Sequence, residues 1–230
     1  MVQTVPPMNI RDAYDRFNEP VTDFDCGARC APYNPSGKPF CCDICHAVPV
    51  AYRQEWAYVE TKTDLWHVWR GDECTVEPTD PAEMLADAPE YMLLLACKGP
   101  AFCERPYRAI SCRQFPFFPY VTADFRFIGL AYEWEFEPTC WVMNHLDTVT
   151  ETYRKEFVRF YDDLFSLWQD DFESYADLTA EMRAYFSMQK RRIPILHRSG
   201  KDYLLSPSNE HLQRVAPGQF KRFGPYQVNG

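Results

Sequence analysis

No apolar run in this 230-residue sequence is long enough to cross a bilayer: the longest, Met92 to Cys97, is six residues, where a helical span needs about twenty. The stretch from Met1 to Tyr14 contains neither a basic nor an apolar segment, so no secretory signal is expected there and the cytoplasm is the expected location. HExxH, GxGxxG, P-loop and nucleophile-elbow signatures are all missing, as are internal repeats and low-complexity tracts. Positive charge is also short. With 24 Lys and Arg against 33 Asp and Glu, the net charge is −9 and the pI is near 5.1. Such a chain repels phosphate backbones and anionic lipid, which argues against nucleic acid and membranes as partners.

The sequence does contain clustered cysteine. Cys26, Cys30, Cys41, Cys42 and Cys45 fall within twenty residues, and Cys97, Cys103 and Cys112 form a second group. Ten cysteines in 230 residues are too few for a disulfide scaffold. In a reducing compartment they stay thiols. Thiolates at short, turn-compatible spacings grip soft or borderline metals, so these eight residues are candidate ligands. Gly27 removes a side chain where the backbone must curl between Cys26 and Cys30. The adjacent pair Cys41-Cys42 cannot easily close on itself without straining the peptide. It points instead to two destinations, either one metal and one core position or two metals. His46, beside Cys45, is the only histidine close enough in sequence to join them.

Between residues 97 and 113 lie Lys98, Arg105, Arg108 and Arg113, against the single acid Glu104. Four thiolates on a divalent ion carry a net charge of −2, which nearby guanidinium groups can offset while donating hydrogen bonds to sulfur. The rival reading is a site for an anionic group, held by Arg105 and Arg113. Arg108 by itself reads equally well as solvated surface charge.

The combination Cys26-x3-Cys30, Cys41-Cys42 and Cys103 leading to Cys112-Arg113-x-Phe115-Pro116 resembles the YkgJ-type cysteine-cluster family, over residues 26 to about 140. The resemblance implies a zinc- or iron-chelating domain with Cys26, Cys30, Cys41, Cys42, Cys97, Cys103 and Cys112 as ligands. Cys45 and Cys140 would be substitutes, and Cys74 is the least supported. An iron–sulfur cluster would use the same ligands and add redox chemistry. The flagellin lysine N-methylases of the wider family attach similar cysteines to a transfer reaction, which implies an enzyme alternative.

Around these loops the sequence predicts an α+β fold. A metal-stapled, cysteine-rich domain with short strands and helices is followed by a long amphipathic helical segment and a C-terminal hairpin and tail. The expected division is an arm over 1–20, the cysteine domain over 21–145, and the helical segment with its basic tail packed on it over 146–230. Expected elements are a helix from Pro49 to Thr61, strands at Trp66–Arg70 and Tyr91–Leu95, and a helical turn started at Pro81. An alternating strand is expected over Phe125–Phe136. One long or two shorter helices over Asp147–Met188 carry the stripe Tyr153, Phe157, Phe160, Leu164, Leu167, Tyr175, Leu178, Met182 and Tyr185. A hairpin of Ile193–His197 and Tyr203–Leu205 closes the chain. From Arg183 onward nine cations face only Asp202 and Glu210, a tail expected to fold back on its own acidic helix.

The expected function is therefore a cytoplasmic protein holding zinc or iron through two cysteine loops. One alternative is a metal- or iron–sulfur-dependent group transferase using the basic patch at 98–113, for which a deep pocket beside the second loop is expected. Another is a metal-stabilised module that binds a protein partner through residues 153–185 or the basic tail.

Overall fold

The computed structural model describes residues 8–74, 81–216 and 218–227. The chain forms two compact units, Met1–Asn18 with Gly27–Arg113, and Glu19–Cys26 with Gln114–Gly230. Their division at Arg113/Gln114 departs from the expected boundary at 145/146, because the strands that follow Gln114 pair with strands near the C-terminus.

The first unit opens with helix α1 (Ile10–Arg16), whose orphan amides are met by Asn9: its side-chain oxygen accepts from the N–H of Arg11 and Asp12. A single helical turn, α2 (Gly27–Cys30), and 3-10 turns at Ala31–Tyr33 and Phe40–Cys42 carry the first cysteine loop. Strand β1 (Val50–Tyr52) then feeds helix α3 (Arg53–Val59), followed by β2 (Trp66–Val68), helix α4 (Pro81–Asp87) and β3 (Met92–Cys97). The three strands form an antiparallel sheet of order β1-β3-β2, with Val50 opposite Leu94 and Trp66 opposite Cys97. The expected helix from Pro49 thus loses its first residues to a strand. The Glu55 side chain marks the true start, reaching back to accept the Tyr52 N–H as in half a capping box. Helix α5 (Ile110–Gln114) ends the unit.

The second unit is built on a five-stranded antiparallel meander, β4 (Phe117–Val121), β5 (Phe127–Tyr132), β6 (Ile193–His197), β7 (Asp202–Leu205) and β8 (Leu212–Val215), paired in chain order. β5 is shorter than the alternation suggested. All six of its residues are buried, and Arg126, Glu133 and Glu135 lie beyond its ends. β4 lay hidden inside what reads as cysteine loop, because Pro116 and Pro119 argue against a strand; the sheet edge tolerates them. The Phe115–Pro116 peptide is cis.

Helices α6 (Glu151–Leu167) and α7 (Gln169–Met188) divide the long helical segment at Trp168, whose extended backbone breaks the run. Thr150 caps α6 by accepting the Tyr153 N–H. Most of the expected stripe is core: Tyr153, Phe157, Phe160, Leu164 and Met182 are buried and Tyr175, Leu178 and Tyr185 half-buried, but Leu167, at the end of α6, is exposed. α7 packs on β4, where Thr179 donates its hydroxyl to the Val121 carbonyl at 2.6 Å. Two cations that follow α7 reach acidic partners within this unit. Arg198 grips Asp162 of α6 with two nitrogens, at 3.1 and 2.8 Å, and Arg191 grips Glu137 the same way, at 2.8 and 2.6 Å. Among the described residues no helix is long and apolar enough to cross a membrane.

Gly129 shows how closely β5 and β6 approach. Its φ is +147°, and a Cβ there would strike the Leu196 carbonyl oxygen. Gly129→Ala is expected to lower stability by about 1–3 kcal/mol, read as a drop in denaturation midpoint, through strained backbone and displaced strands.

Candidate metal centre

Two loops of the first unit supply the sulfurs. Asp43, almost fully buried, organises the first. Its carboxylate accepts from Asn34 Nδ2 at 3.0 Å, from Ser36 Oγ at 2.6 Å and from the Cys45 N–H at 3.2 Å. Burial pushes the Asp43 carboxyl up, but these donors outweigh it and hold the group below its usual range. Just before this anchor, the turn at Phe40–Cys42 places Cys41 Sγ 3.9 Å from Cys42 Sγ, so the adjacent thiols face one another rather than diverging. Cys30 is buried and donates its thiol to the Gly27 carbonyl at 3.4 Å. The His46 ring packs edge-on against Phe40.

The second loop starts where β3 ends at Cys97, and the Lys98 N–H donates to the Leu65 carbonyl. Trp66 Nε1 donates to the Tyr107 carbonyl at 2.8 Å, and Ser111 Oγ to the Val50 carbonyl at 2.6 Å. These bonds draw residues 97–112 across the small sheet. Within the loop, Arg108 Nε donates to Cys103 Sγ at 3.0 Å, a charge-assisted bond to sulfur.

The electrostatics tie four cysteines from three chain segments into one neighbourhood. Burial pushes the Cys112 thiol well up. The charges of Cys42, Cys97 and Cys103 push the same way, and Arg108 opposes them. Cys97 is raised by burial too, and then by Cys42 and Cys103. Burial disfavours the Arg108 cation, yet its bond to Cys103 and the charges of Cys103, Cys42 and Cys112 hold it above the usual arginine range. Even so, among the described residues no three or more His, Cys, Asp or Glu side chains form a group ready to hold a metal ion. The four sulfurs share a neighbourhood without being drawn onto one point.

Other candidates are placed differently. Cys45, expected among the ligands, is bonded to Cys74, the cysteine with the least support as a ligand; their Cα atoms are 5.2 Å apart, well within disulfide reach. In that state its sulfur is no thiolate ligand. Cys26 and Cys140 belong to the second unit. The cations between 98 and 113 are engaged inside the first unit. Lys98 pairs with Asp64, and Arg105 Nη2 donates to the Asn18 carbonyl at 3.4 Å. Arg113, expected to serve sulfur or an anion, is 7% exposed and donates instead to the carbonyls of Tyr14, Phe17, Pro106 and Arg108 at 2.6–2.9 Å. Its guanidinium also stacks 4.0 Å from the Tyr14 ring centre.

Beside Arg113 lies a group that sequence reading passed over. Glu55 is 1% exposed; it accepts the Tyr14 hydroxyl at 2.8 Å and the Ile110 N–H at 2.7 Å, so α1, α3 and α5 meet on one carboxyl. Burial pushes it up to about 7, against the pull of those donors and of Arg113. An open cleft of about 490 Å³ in this unit is lined by Arg11, Asp15, Tyr58, Lys62 and Tyr107 among others, but by no cysteine and by neither Arg105 nor Arg113.

Two outcomes are expected. Because Glu55 binds its proton more tightly folded than unfolded, its contribution to stability is full near pH 4.5 and falls as pH rises through about 7. Glu55→Gln should flatten that fall in unfolding midpoints measured from pH 5 to 8. Arg113→Lys, which keeps the charge but not the fork, should cost about 2–4 kcal/mol in urea unfolding. No family model, curated protein or solved structure matches this chain.

Proposed function

We propose that this chain is a thiolate metal-binding protein of the cytoplasm, holding zinc or iron in its first unit through Cys42, Cys97, Cys103 and Cys112. The observation that carries the reading is that Cys42, Cys97, Cys103 and Cys112, from three separate segments, lie close enough to act on one another's ionisation, with Arg108 Nε bonded to Cys103. A soft sulfur donor set suits zinc or iron in preference to hard cations such as magnesium or calcium. Resemblance to the YkgJ-type proteins points the same way.

The protein's own residues have defined tasks in this reading. The Cys97 and Cys112 thiols, raised by burial and by neighbouring cysteines, resist ionising alone, and a divalent cation is the partner that lets them ionise together. Arg108 offsets part of the surplus negative charge and fixes the orientation of Cys103. A bound zinc ion would cross-link the two loops, and iron would add the capacity to carry an electron. Catalysis has less support, since the cations of the basic patch are already engaged. A docking role for residues 153–185 has less too, since most of their apolar stripe is taken up in the core of the second unit.

Anaerobic purification followed by metal analysis and a visible spectrum tests the reading. Near-stoichiometric zinc or iron is expected, lost in Cys103→Ser and Cys112→Ser. Arg108→Gln should retain the metal with affinity weakened about 10–100-fold. If neither metal accompanies the protein, and chelators leave its unfolding temperature unchanged, the reading fails.

A further inference from the structure

Three short segments of the first unit form the walls of the 490 Å³ cleft, and none of them contributes a cysteine. Arg11 and Asp15 stand one turn apart on α1 and so share a face. Tyr58, near the end of α3, and Lys62, in the turn that follows, make the second wall. Pro106 and Tyr107, of the 3-10 turn Arg105–Tyr107, make the third.

Buried bonds hold these walls in place. Tyr14, which also lines the cleft, gives its hydroxyl to Glu55 and meets the Tyr58 ring edge-on at 5.4 Å. Arg113 faces the Tyr14 ring and donates to the Pro106 carbonyl at 2.7 Å. Trp66 Nε1 fixes the carbonyl of Tyr107 at 2.8 Å. A ligand therefore meets rings and backbone that are already ordered, which lowers the entropy lost on binding.

The charge here is the reverse of the chain's. Arg11 and Lys62 oppose Asp15 alone, in a protein whose net charge is −9. Among the described residues neither cation has an acidic partner; the Lys62 ammonium lies 5.8 Å from the Tyr58 ring centre. Tyr58 and Tyr107 are half-buried, and their hydroxyls have no protein partner among the described residues either.

We propose that this cleft binds a small organic anion carrying a planar ring, with the ring against Tyr58 and Tyr107 and its phosphate or carboxylate drawn to Arg11 and Lys62. A guanidinium and an ammonium both favour anionic oxygens. Exposed ion pairs add little by themselves, so the tyrosine rings supply the rest of the affinity. Asp15 disfavours a second negative charge and can accept a hydrogen bond from a donor on the ring. The site is independent of the thiolate centre, and either can fail without the other.

Calorimetric titration of the full-length protein with phenyl phosphate, phenylacetate, inorganic phosphate and phenol tests the proposal. At least one of the two phenyl anions should bind with a Kd below about 1 mM, and the tighter of them identifies the head group as phosphate or carboxylate. Inorganic phosphate and phenol, each keeping one half of the ligand, should bind at least about tenfold more weakly. Arg11→Gln and Lys62→Gln together should weaken the tighter ligand about tenfold or more. Both positions are exposed, and circular dichroism checks that the double variant is folded. Lys155→Gln, which removes a cation of α6, should leave binding unchanged. A Kd above about 1 mM for both phenyl anions overturns the proposal. So does phosphate or phenol binding as tightly as they do, or a folded double variant that binds like the parent.

Discussion

The first unit depends on the Arg113 guanidinium. A buried cation is costly unless its hydrogen bonds are met, and here they are met by backbone carbonyls of α1 and its C-terminal end, of the 3-10 turn that contains Pro106, and of Arg108. One side chain thereby ties residues 14–17 to 106–113. Because it takes up the carbonyl of Arg108, it also fixes the backbone of the residue whose side chain reaches Cys103. Glu55 completes the arrangement by accepting the Ile110 N–H at the start of α5, the helix that carries both Cys112 and Arg113. The backbone that carries Cys112 and Arg108 is thus positioned by polar contacts that do not themselves involve sulfur.

Much of the second unit was legible in the sequence because its signals are periodic. The stripe from Tyr153 to Met182 states helix across the segment that α6 and α7 occupy, though not the break at Trp168, and Ser199-Gly200 marks the turn between β6 and β7. β4 and β8 were not legible. β4 contains a proline, and Leu212–Val215 has no alternation long enough to stand out from a loop. Both strands form because a neighbour is there to pair with, a property of the assembled sheet that no local window contains. The start of α3 was misplaced for the same reason: Val50–Tyr52 extends because β3 offers it a partner.

The candidate site was legible in its residue types and less so in its roles. Spacing singled out the two loops, but it could not distinguish a cysteine near Arg108 from one bonded to Cys74. Arg108 was the easiest cation to dismiss, yet it is the one found donating to sulfur. Its position, five residues after Cys103 and four before Cys112, was the available signal. Arg113 looked like the charge for a site because it sits next to Cys112, but α5 turns adjacent residues to different faces. Asp43 and Glu55 are single acids with no motif around them; burial gives them their importance, and burial is a tertiary fact.

Pro119 has a consequence of another kind. It occupies β4, the outermost strand at one end of the five-stranded order, and has no N–H to offer a newcomer. An exposed run of unpaired amides invites a second chain to extend the sheet. The proline interrupts that run while the strand keeps its register with β5, Pro119 lying opposite Leu130. At the other end, β8 presents Gln213 and Arg214 to solvent, and a charge there discourages the same event. All five residues of β4 are buried, so this edge is covered as well as interrupted, and the residue that concealed the strand from sequence reading lies where the sheet is closed to growth from chain to chain.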